Sequence, residues 1–306
     1  MRFQHILKSI EKKFIGGGRV QLMKITNRST LENQAFTKRL WKDLKINKLV
    51  YLMALPVIVY YLLFHYVPLA GVSIAFQDYN AFKGFLGSEW VGFMQFNDFL
   101  TSPYAFRVVR NTFLLNVLEI LFGFPAPIIL ALLINEVRGK IFKQSVQTLS
   151  YMPHFISLVV ICGMTVDFTA STGLINDIAS WFGVESQNLL MKKEFFRTIY
   201  VSSGIWQHIG WGSIIYLATL STIDPGLYEA ASIDGAGRLK KMLHITIPAL
   251  IPTIIILLIM RLGHIMSEGF EKIILLYNPL TYETADVIAS YVYRRGLQEA
   301  NYSFGA

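Results

Sequence analysis

The chain is poor in charge and almost without cysteine. Only 16% of its 306 residues are Asp, Glu, Lys or Arg, and Cys162 is the single thiol. One cysteine excludes an internal disulfide, and its place inside an apolar run makes it a small buried hydrophobe. The phosphate-binding pattern G-x-x-x-x-G-K-[ST] is missing, so this chain does not itself hydrolyse ATP. The six histidines are scattered, with no H-E-x-x-H and no Cys/His cluster, so the sequence offers no metal site. G-x-S-x-G is absent as well. No catalytic constellation is left, and the expectation is a protein that is not an enzyme. A cleavable signal is also lacking. The basic start runs into polar sequence, and the first apolar run begins only near Leu49.

What is present is apolar sequence in long runs. Hydrophobic residues make up 53% of the chain and mean hydropathy is +0.45. That is too apolar, with too little charge, for an ordinary soluble domain. Runs near the length of a bilayer crossing recur. The expected fold is all-α and polytopic, with about five transmembrane helices. They cover Leu49 to Phe64 or as far as Phe76, Asn111 to Ile134, Val146 to Val166, Thr198 to Leu220, and Ile247 to Met266. Residues 1–48 form a basic tail with 12 Lys/Arg and 3 Asp/Glu. Aromatic residues are few there and no nucleic-acid motif appears, so a cytoplasmic, lipid-facing tail is expected and no nucleic-acid partner. Gly16-Gly17-Gly18 ahead of Met23 raises Met23 as an alternative start.

Charge sets the expected orientation. With the N-terminus inside, the segments 1–48, 135–145 and 221–246 carry 18 Lys/Arg and 7 Asp/Glu. The segments 77–110, 167–197 and 267–306 then lie outside with 9 Lys/Arg and 12 Asp/Glu. The positive-inside rule selects this arrangement. The expected location is a bacterial plasma membrane, crossed several times, with a cytoplasmic N-terminus.

Between the last two runs lies a polar break, 221–248, with its own helical grammar. Asp224 can cap a helix and Pro225 suits the first helical position. Residues 227–233 are mostly good helix formers. Gly235 and Gly237 then stop the helix, because glycine accepts a left-handed turn. Leu227, Tyr228 and Ala231 recur at helical spacing and predict one apolar face. Ala230 and Ala231 are small enough for another surface to come close.

The run Glu229-Ala230-Ala231, with Gly235 six positions after Glu229 and then Ile245 and Pro248, resembles the EAA loop of permease subunits in ATP-binding-cassette importers. Where that family has Leu before the final Pro, this chain has Ile247. The likeness extends over roughly the last 260 residues and leans to the sugar and oligosaccharide branch, the polysaccharide-type permeases. It is carried there by Ile74-Ala75-Phe76-Gln77-Asp78-Tyr79-Asn80, Ile233-Asp234-Gly235-Ala236-Gly237-Arg238 and Tyr291-Val292-Tyr293-Arg294-Arg295-Gly296. The resemblance implies a permease domain over 49–306 whose coupling loop, 221–248, docks in a groove of a separate ATPase. Tyr228, Glu229, Ala230, Ala231, Asp234, Gly235 and Pro248 would carry that coupling. It also implies a second permease, a pair of ATP-binding subunits that hold ATP and Mg, and an extracellular sugar-binding lipoprotein. Relatives of this type have six spans. The sixth would follow Tyr302-Ser303-Phe304-Gly305-Ala306, where this sequence stops, so the last helix is expected to be missing.

Polar groups inside the spans are the remaining candidates, since a charge in hydrocarbon faces a cavity or a partner. Glu119 lies in the second span, one helical turn from Asn116, with Asn111 nearby. Arg261 and His264 share a face of the last span, with Glu268 one turn on. The fourth carries Trp206, Gln207, His208, Trp211 and Tyr216. Oligosaccharides are held by aromatic faces, amides and carboxylates, which makes Glu119, Gln207 and Trp211 the expected substrate pathway. The competing role for each is to join helices by hydrogen bonds. A rival class, an ion-gradient-driven secondary transporter, would want inverted repeats and an ionisable relay. The sequence shows no convincing repeat.

Overall fold

A computed structural model describes residues 42–263 and 269–306. The basic tail up to residue 41, Met23 within it, His264 and Glu268 lie outside the described residues. The chain divides into two units after Val72.

In the first unit, α1 (Lys48–Tyr61) runs into a π-helical turn, Leu62–Tyr66, and then Val67–Leu69. Its side chains are apolar on every side, and Leu49, Val50, Leu52, Met53 and Leu55 are all exposed. A helix apolar all round and long enough to cross a bilayer reads as a membrane helix.

In the second unit, a two-residue ladder opens the structure, with Gln77 opposite Trp90 and Asp78 opposite Glu89. Then follow α2 (Ala105–Leu118), a π turn at Glu119–Gly123 and α3 (Pro125–Glu136). Next come α4 (Lys140–Tyr151), α5 (Leu158–Thr169) and α6 (Leu174–Ser180). The long α7 (Lys193–Leu220) leads to α8 (Pro225–Ile233) and α9 (Arg238–Lys241). A π turn at Met242–Thr246 enters α10 (Ile247–Gly263). The chain closes with α11 (Phe270–Leu276) and α12 (Ile288–Tyr293) among short turns.

Among the described residues there are four π turns. The last, Arg294–Gln298, has no proline beside it, and the other three have a common cause. Each ends within two residues of a proline, Pro68, Pro125 or Pro248. Proline offers no N–H and its ring crowds the carbonyl four residues back. One extra residue per turn relieves that crowding. Phe124 N donates to Glu119 O at 3.0 Å, five residues back.

Among the described residues, four stretches are long and apolar enough to cross a bilayer: Lys48–Phe76, Ala105–Glu136, Leu158–Ser180 and Arg238–Gly263. The expected fourth span, within α7, is long enough at 28 residues but too polar to join them. Ser203, Gln207 and Ser213 among its polar residues are buried. α7 is the packing centre of the unit. Phe196, Ile199 and Tyr200 join Leu115 of α2, Cys162 of α5 and Ile273 and Leu276 of α11 in one core. Tyr216 and Leu220 join Ala131 of α3 and Leu250 of α10 in another.

One expected boundary is corrected. The third apolar run does not start at Val146. Residues 146–151 belong to α4, which begins at Lys140 in what was expected to be a loop. The chain then breaks at Met152–Phe155, where Pro153 is buried, and Ser157 caps α5 through Val160 N at 3.4 Å. In α4, Lys143, Val146, Gln147 and Ser150 are half-buried while Ile141, Phe142 and Leu149 are exposed. An amphipathic helix with its apolar side outward had been counted as part of a span.

Candidate functional site

The 221–248 break folds locally, as its residues dictate. Asp224 is extended (φ −60°, ψ 120°), and its Oδ1 accepts from Gly226 N at 2.9 Å. Pro225 follows at the first helical position, where a missing N–H costs nothing. At the other end Gly235 takes φ +75°. Its N–H donates to Ser232 O at 3.1 Å and that of Ala236 to Ala231 O at 2.8 Å. That pair of bonds is a Schellman motif, and it satisfies carbonyls the helix end would otherwise leave bare. Asp234 is the residue between helix and glycine. Gly237 does not share the stop role expected of it. Its backbone is extended (φ −71°, ψ 169°) and it opens α9.

The expected apolar face is also rearranged. Tyr228 and Ala231 are half-buried, but Leu227 is exposed, together with Glu229, Ala230 and Ile233. Tyr228 Oη lies 3.0 Å from Thr246 Oγ1, and Thr246 is buried at the base of α10. Lys241 Nζ donates to Ser232 Oγ. Pro248 stands two residues beyond Thr246, exposed, where α10 begins. The loop is therefore a short rigid helix that turns Leu227, Glu229, Ala230 and Ile233 outward.

The second constellation lies among α2, α7, α10 and α11. Glu119 opens its π turn and is joined by Arg261 of α10, whose Nη2 is 2.6 Å from Oε2. Gln207, Tyr200, His208, Gly204 and Lys272 line the same cavity, of roughly 610 Å³. Lys272, on α11, was not foreseen. It is buried, donates to Tyr200 O at 2.6 Å and lies 4.4 Å from that ring's centre. The geometry brings together two of the three expected pathway residues, Glu119 and Gln207. Trp211 is elsewhere, half-exposed and stacked on His154 with ring centres 4.5 Å apart. Asn111 joins two segments, and Asn116 bonds only within its own helix. Asn111 Nδ2 donates to Glu283 O and Asp286 O, each at 3.0 Å, while Asn116 Nδ2 donates to Thr112 O within α2.

The other two motifs both touch the segment 302–305, Gly296 lying against Gly305. Tyr79 N donates to Ser303 Oγ at 2.8 Å. Asp286, fully buried, accepts from Arg294 at 2.7 Å, Arg107 at 3.2 Å and Ser290 at 2.8 Å. Glu283 beside it pairs with Lys193, whose ammonium holds that carboxyl below its usual range.

Over residues 123–299 the sequence matches the family described as "Binding-protein-dependent transport system inner membrane component". The chain belongs to this family. Among its relatives in Bacillus subtilis (strain 168), the "Polygalacturonan/rhamnogalacturonan transport system permease protein YteP" is 47% identical over 268 residues, which is 87% of this chain and 84% of that protein. "Protein LplB" of the same strain is 46% identical over 262 residues, 85% of this chain and 82% of that one. A solved structure titled "Crystal structure of a bacterial ABC transporter involved in the import of the acidic polysaccharide alginate" contains a similar chain. It superposes with a TM-score of 0.81 at 48% identity, covering 87% of this permease and 90% of that chain. The permease is thus a membrane transport component and not an enzyme.

Proposed function

We propose that this permease is the membrane-spanning subunit of an ATP-driven, binding-protein-dependent importer of oligosaccharides, and that α8 is its contact with the ATPase. The observation that carries the reading is the capped helix itself. Asp224 fixes one end, Gly235 the other, and Tyr228 ties it to Thr246 beneath α10. A rigid knob can pass a displacement to the helix it is tied to, whereas a loose loop would absorb it. The likeness to YteP, a polygalacturonan/rhamnogalacturonan transport permease, and to the alginate importer supports a saccharide as the cargo. A related structure is titled as a complex "with alginate pentasaccharide-bound periplasmic protein", which supports an external sugar-binding partner.

On this reading a second permease completes the pathway, and two ATP-binding subunits hold ATP and Mg. Closure of that pair moves α8 and shifts the spans between outward-facing and inward-facing states. The ATPase must bind one state better than the other, or nothing shifts. The charge bias supports a cytoplasmic N-terminus and a cytoplasmic α8, α7 being the fourth crossing expected from the sequence. An ion-gradient mechanism has less support, because Glu119 is engaged by Arg261 and is a poor proton relay. The test is oligosaccharide uptake into proteoliposomes holding all subunits. Uptake should require ATP inside and survive collapse of ion gradients, and a crosslinker at position 230 should capture the ATPase. Uptake that follows the gradient, or a crosslink to lipid alone, would remove the reading.

A further inference from the structure

We propose that the cavity among α2, α7, α10 and α11 takes the carboxylate of an acidic sugar against Lys272, so that the cargo is a uronate-containing oligosaccharide. This rests on the reading of the chain as an oligosaccharide permease and narrows it. Lys272 is 7% exposed. Its ammonium carries three donors. One goes to Tyr200 O, and the ring of the same tyrosine covers one side of the cation. Among the described residues, the ion pairs are Arg107–Asp286, Lys193–Glu283, Arg261–Glu119, Arg294–Asp286 and Arg295–Glu299, and none includes Lys272. Glu119 attracts Lys272 without touching it, and a buried ammonium with no carboxylate in contact is expensive at membrane depth. An anion arriving in the cavity would offset that cost.

The surroundings fit such a guest. Arg261 occupies Glu119, so the nearest wall carboxylate is already neutralised. Glu271, the other carboxylate lining the cavity among the described residues, is exposed, where water screens it. Gly204 leaves the floor open. A Cβ there would stand 2.9 Å from Lys272 Nζ and 3.9 Å from Glu119 Oε1. Gln207 lines the same cavity at 5% exposure, and its Oε1 is buried without a hydrogen-bond partner. A sugar hydroxyl can donate to that oxygen while the carboxylate accepts from Lys272. The pair reads the two features that separate a uronate from a neutral hexose or a bare anion. Charge-assisted bonds are roughly twice as strong as neutral ones, so the acid gains more than its ester.

Lys272 also clamps α11 to α7, and the test separates that role from recognition. The complete importer is placed in nanodiscs without the external binding protein, so that only its own subunits meet the sugar. Binding of trigalacturonate and of its methyl ester is measured by calorimetry. The acid is expected to bind at least about tenfold tighter than the ester. Lys272→Gln should erase that preference while ester binding stays within about twofold, and Lys272→Arg should keep it. Equal binding of the two probes by the unmutated importer, binding of neither, a preference that survives Lys272→Gln, or equal loss of both probes in an assembled Lys272→Gln complex overturns the proposal. Should Lys272→Gln fail to assemble, Gly204→Ala decides, because it displaces the ammonium without removing it. The preference should then narrow by at least about threefold, and an unchanged preference overturns the proposal. ATP-driven uptake of neutral and acidic oligosaccharides at equal rates would leave import standing and remove this inference alone. Uptake of neither would remove both.

Discussion

Tyr228 Oη and Thr246 Oγ1 meet at 3.0 Å, and through them α8 is tied to the turn that enters α10. Thr246 is buried and Tyr228 half-buried, so water competes poorly for the bond. A hydrogen bond of this kind contributes about 0.5–1.5 kcal/mol. Tyr228→Phe and Thr246→Val should each lower sugar moved per ATP hydrolysed, and the double variant should be no worse than the more severe single one. Uptake and hydrolysis measured together in proteoliposomes check this. Additive losses would mean that the two hydroxyls act apart.

Gly235 holds φ +75°, with no atom near where a Cβ would project. The need for glycine is therefore one of backbone and not of space. An L-residue in that conformation costs roughly 1–2 kcal/mol, with Asn and Asp less penalised than Val. Gly235→Val should abolish uptake with the protein still in the membrane, and Gly235→Asn should keep a measurable part. Gly235→Asp adds a charge beside Asp234 and should behave like Val. Uptake normalised to membrane-inserted protein distinguishes these cases. Wild-type uptake by Gly235→Val would remove the Schellman turn from the mechanism.

The capped helix was legible because Asp224, Pro225 and Gly235 act on their own neighbours. Nothing comparable announces the Glu119–Arg261 pair, whose members are 142 residues apart. Lys272 was hidden for a related reason. Its helix is only seven residues long, and the packing of α11 on Tyr200 makes it a buried cation. The third span was misplaced because apolar counts ignore which way a helix faces. Val146 and Leu149 of α4 extend the apolar run backward, yet the break at Pro153 separates them from α5. Leu227 shows the same limit. Helical spacing groups it with Tyr228, but which flank of that stripe meets protein is decided by α10.

Gly210 should be the least replaceable residue of α7. A Cβ there would lie 2.0 Å from the carbonyl oxygen of Ser150, backbone that cannot swing aside. Even Gly210→Ala must push α4 from α7. Overpacking typically costs about 1–3 kcal/mol. The variant should melt at lower temperature in detergent and reach the membrane in smaller amount. Gly163, with open space around its missing Cβ, is the control, and Gly163→Ala should leave melting unchanged.

Lys193 and Glu283 pair on the exposed outer side of the second unit. The carboxyl is held below its ordinary 4.5 by the Lys193 hydrogen bond, and the ammonium is raised above 10.5 by the same partner. A lowered carboxylate contributes above its unfolded value and loses that contribution as pH falls through the folded one. A raised ammonium contributes below 10.5 and loses it as pH climbs past its folded value. The tie is thus intact across neutral pH and weakens toward the acid and alkaline limits. Both groups are in water, so the effect on stability is small. Lys193→Gln should flatten the acid-side slope of a melting-versus-pH curve while barely moving melting at neutral pH. A slope unchanged in the variant would assign the acid sensitivity to other carboxylates.

Asp286 should be the most sensitive position outside the spans. Its carboxylate is fully buried and receives Arg294, Arg107 and Ser290, while Asn111 binds its backbone carbonyl. Four side chains converge on one residue. Arg107 and Arg294 keep 26% and 18% side-chain exposure, so water can rescue them only in part. Removing one partner of a buried pair commonly costs about 3–5 kcal/mol, because the remaining charge is stranded. Asp286→Ala strands two. Its cost should sit near the lower end of that range, since both guanidiniums reach some solvent. Asp286→Asn keeps the shape and one acceptor, and should fall between Ala and the unmutated protein. Melting of the purified permease orders the three. The double variant Asp286→Ala with Arg294→Met then separates lost attraction from stranded charge. If stranding dominates, it should be more stable than Asp286→Ala alone. If it is less stable, the arginine stems hold this corner by packing, and the charges there are secondary.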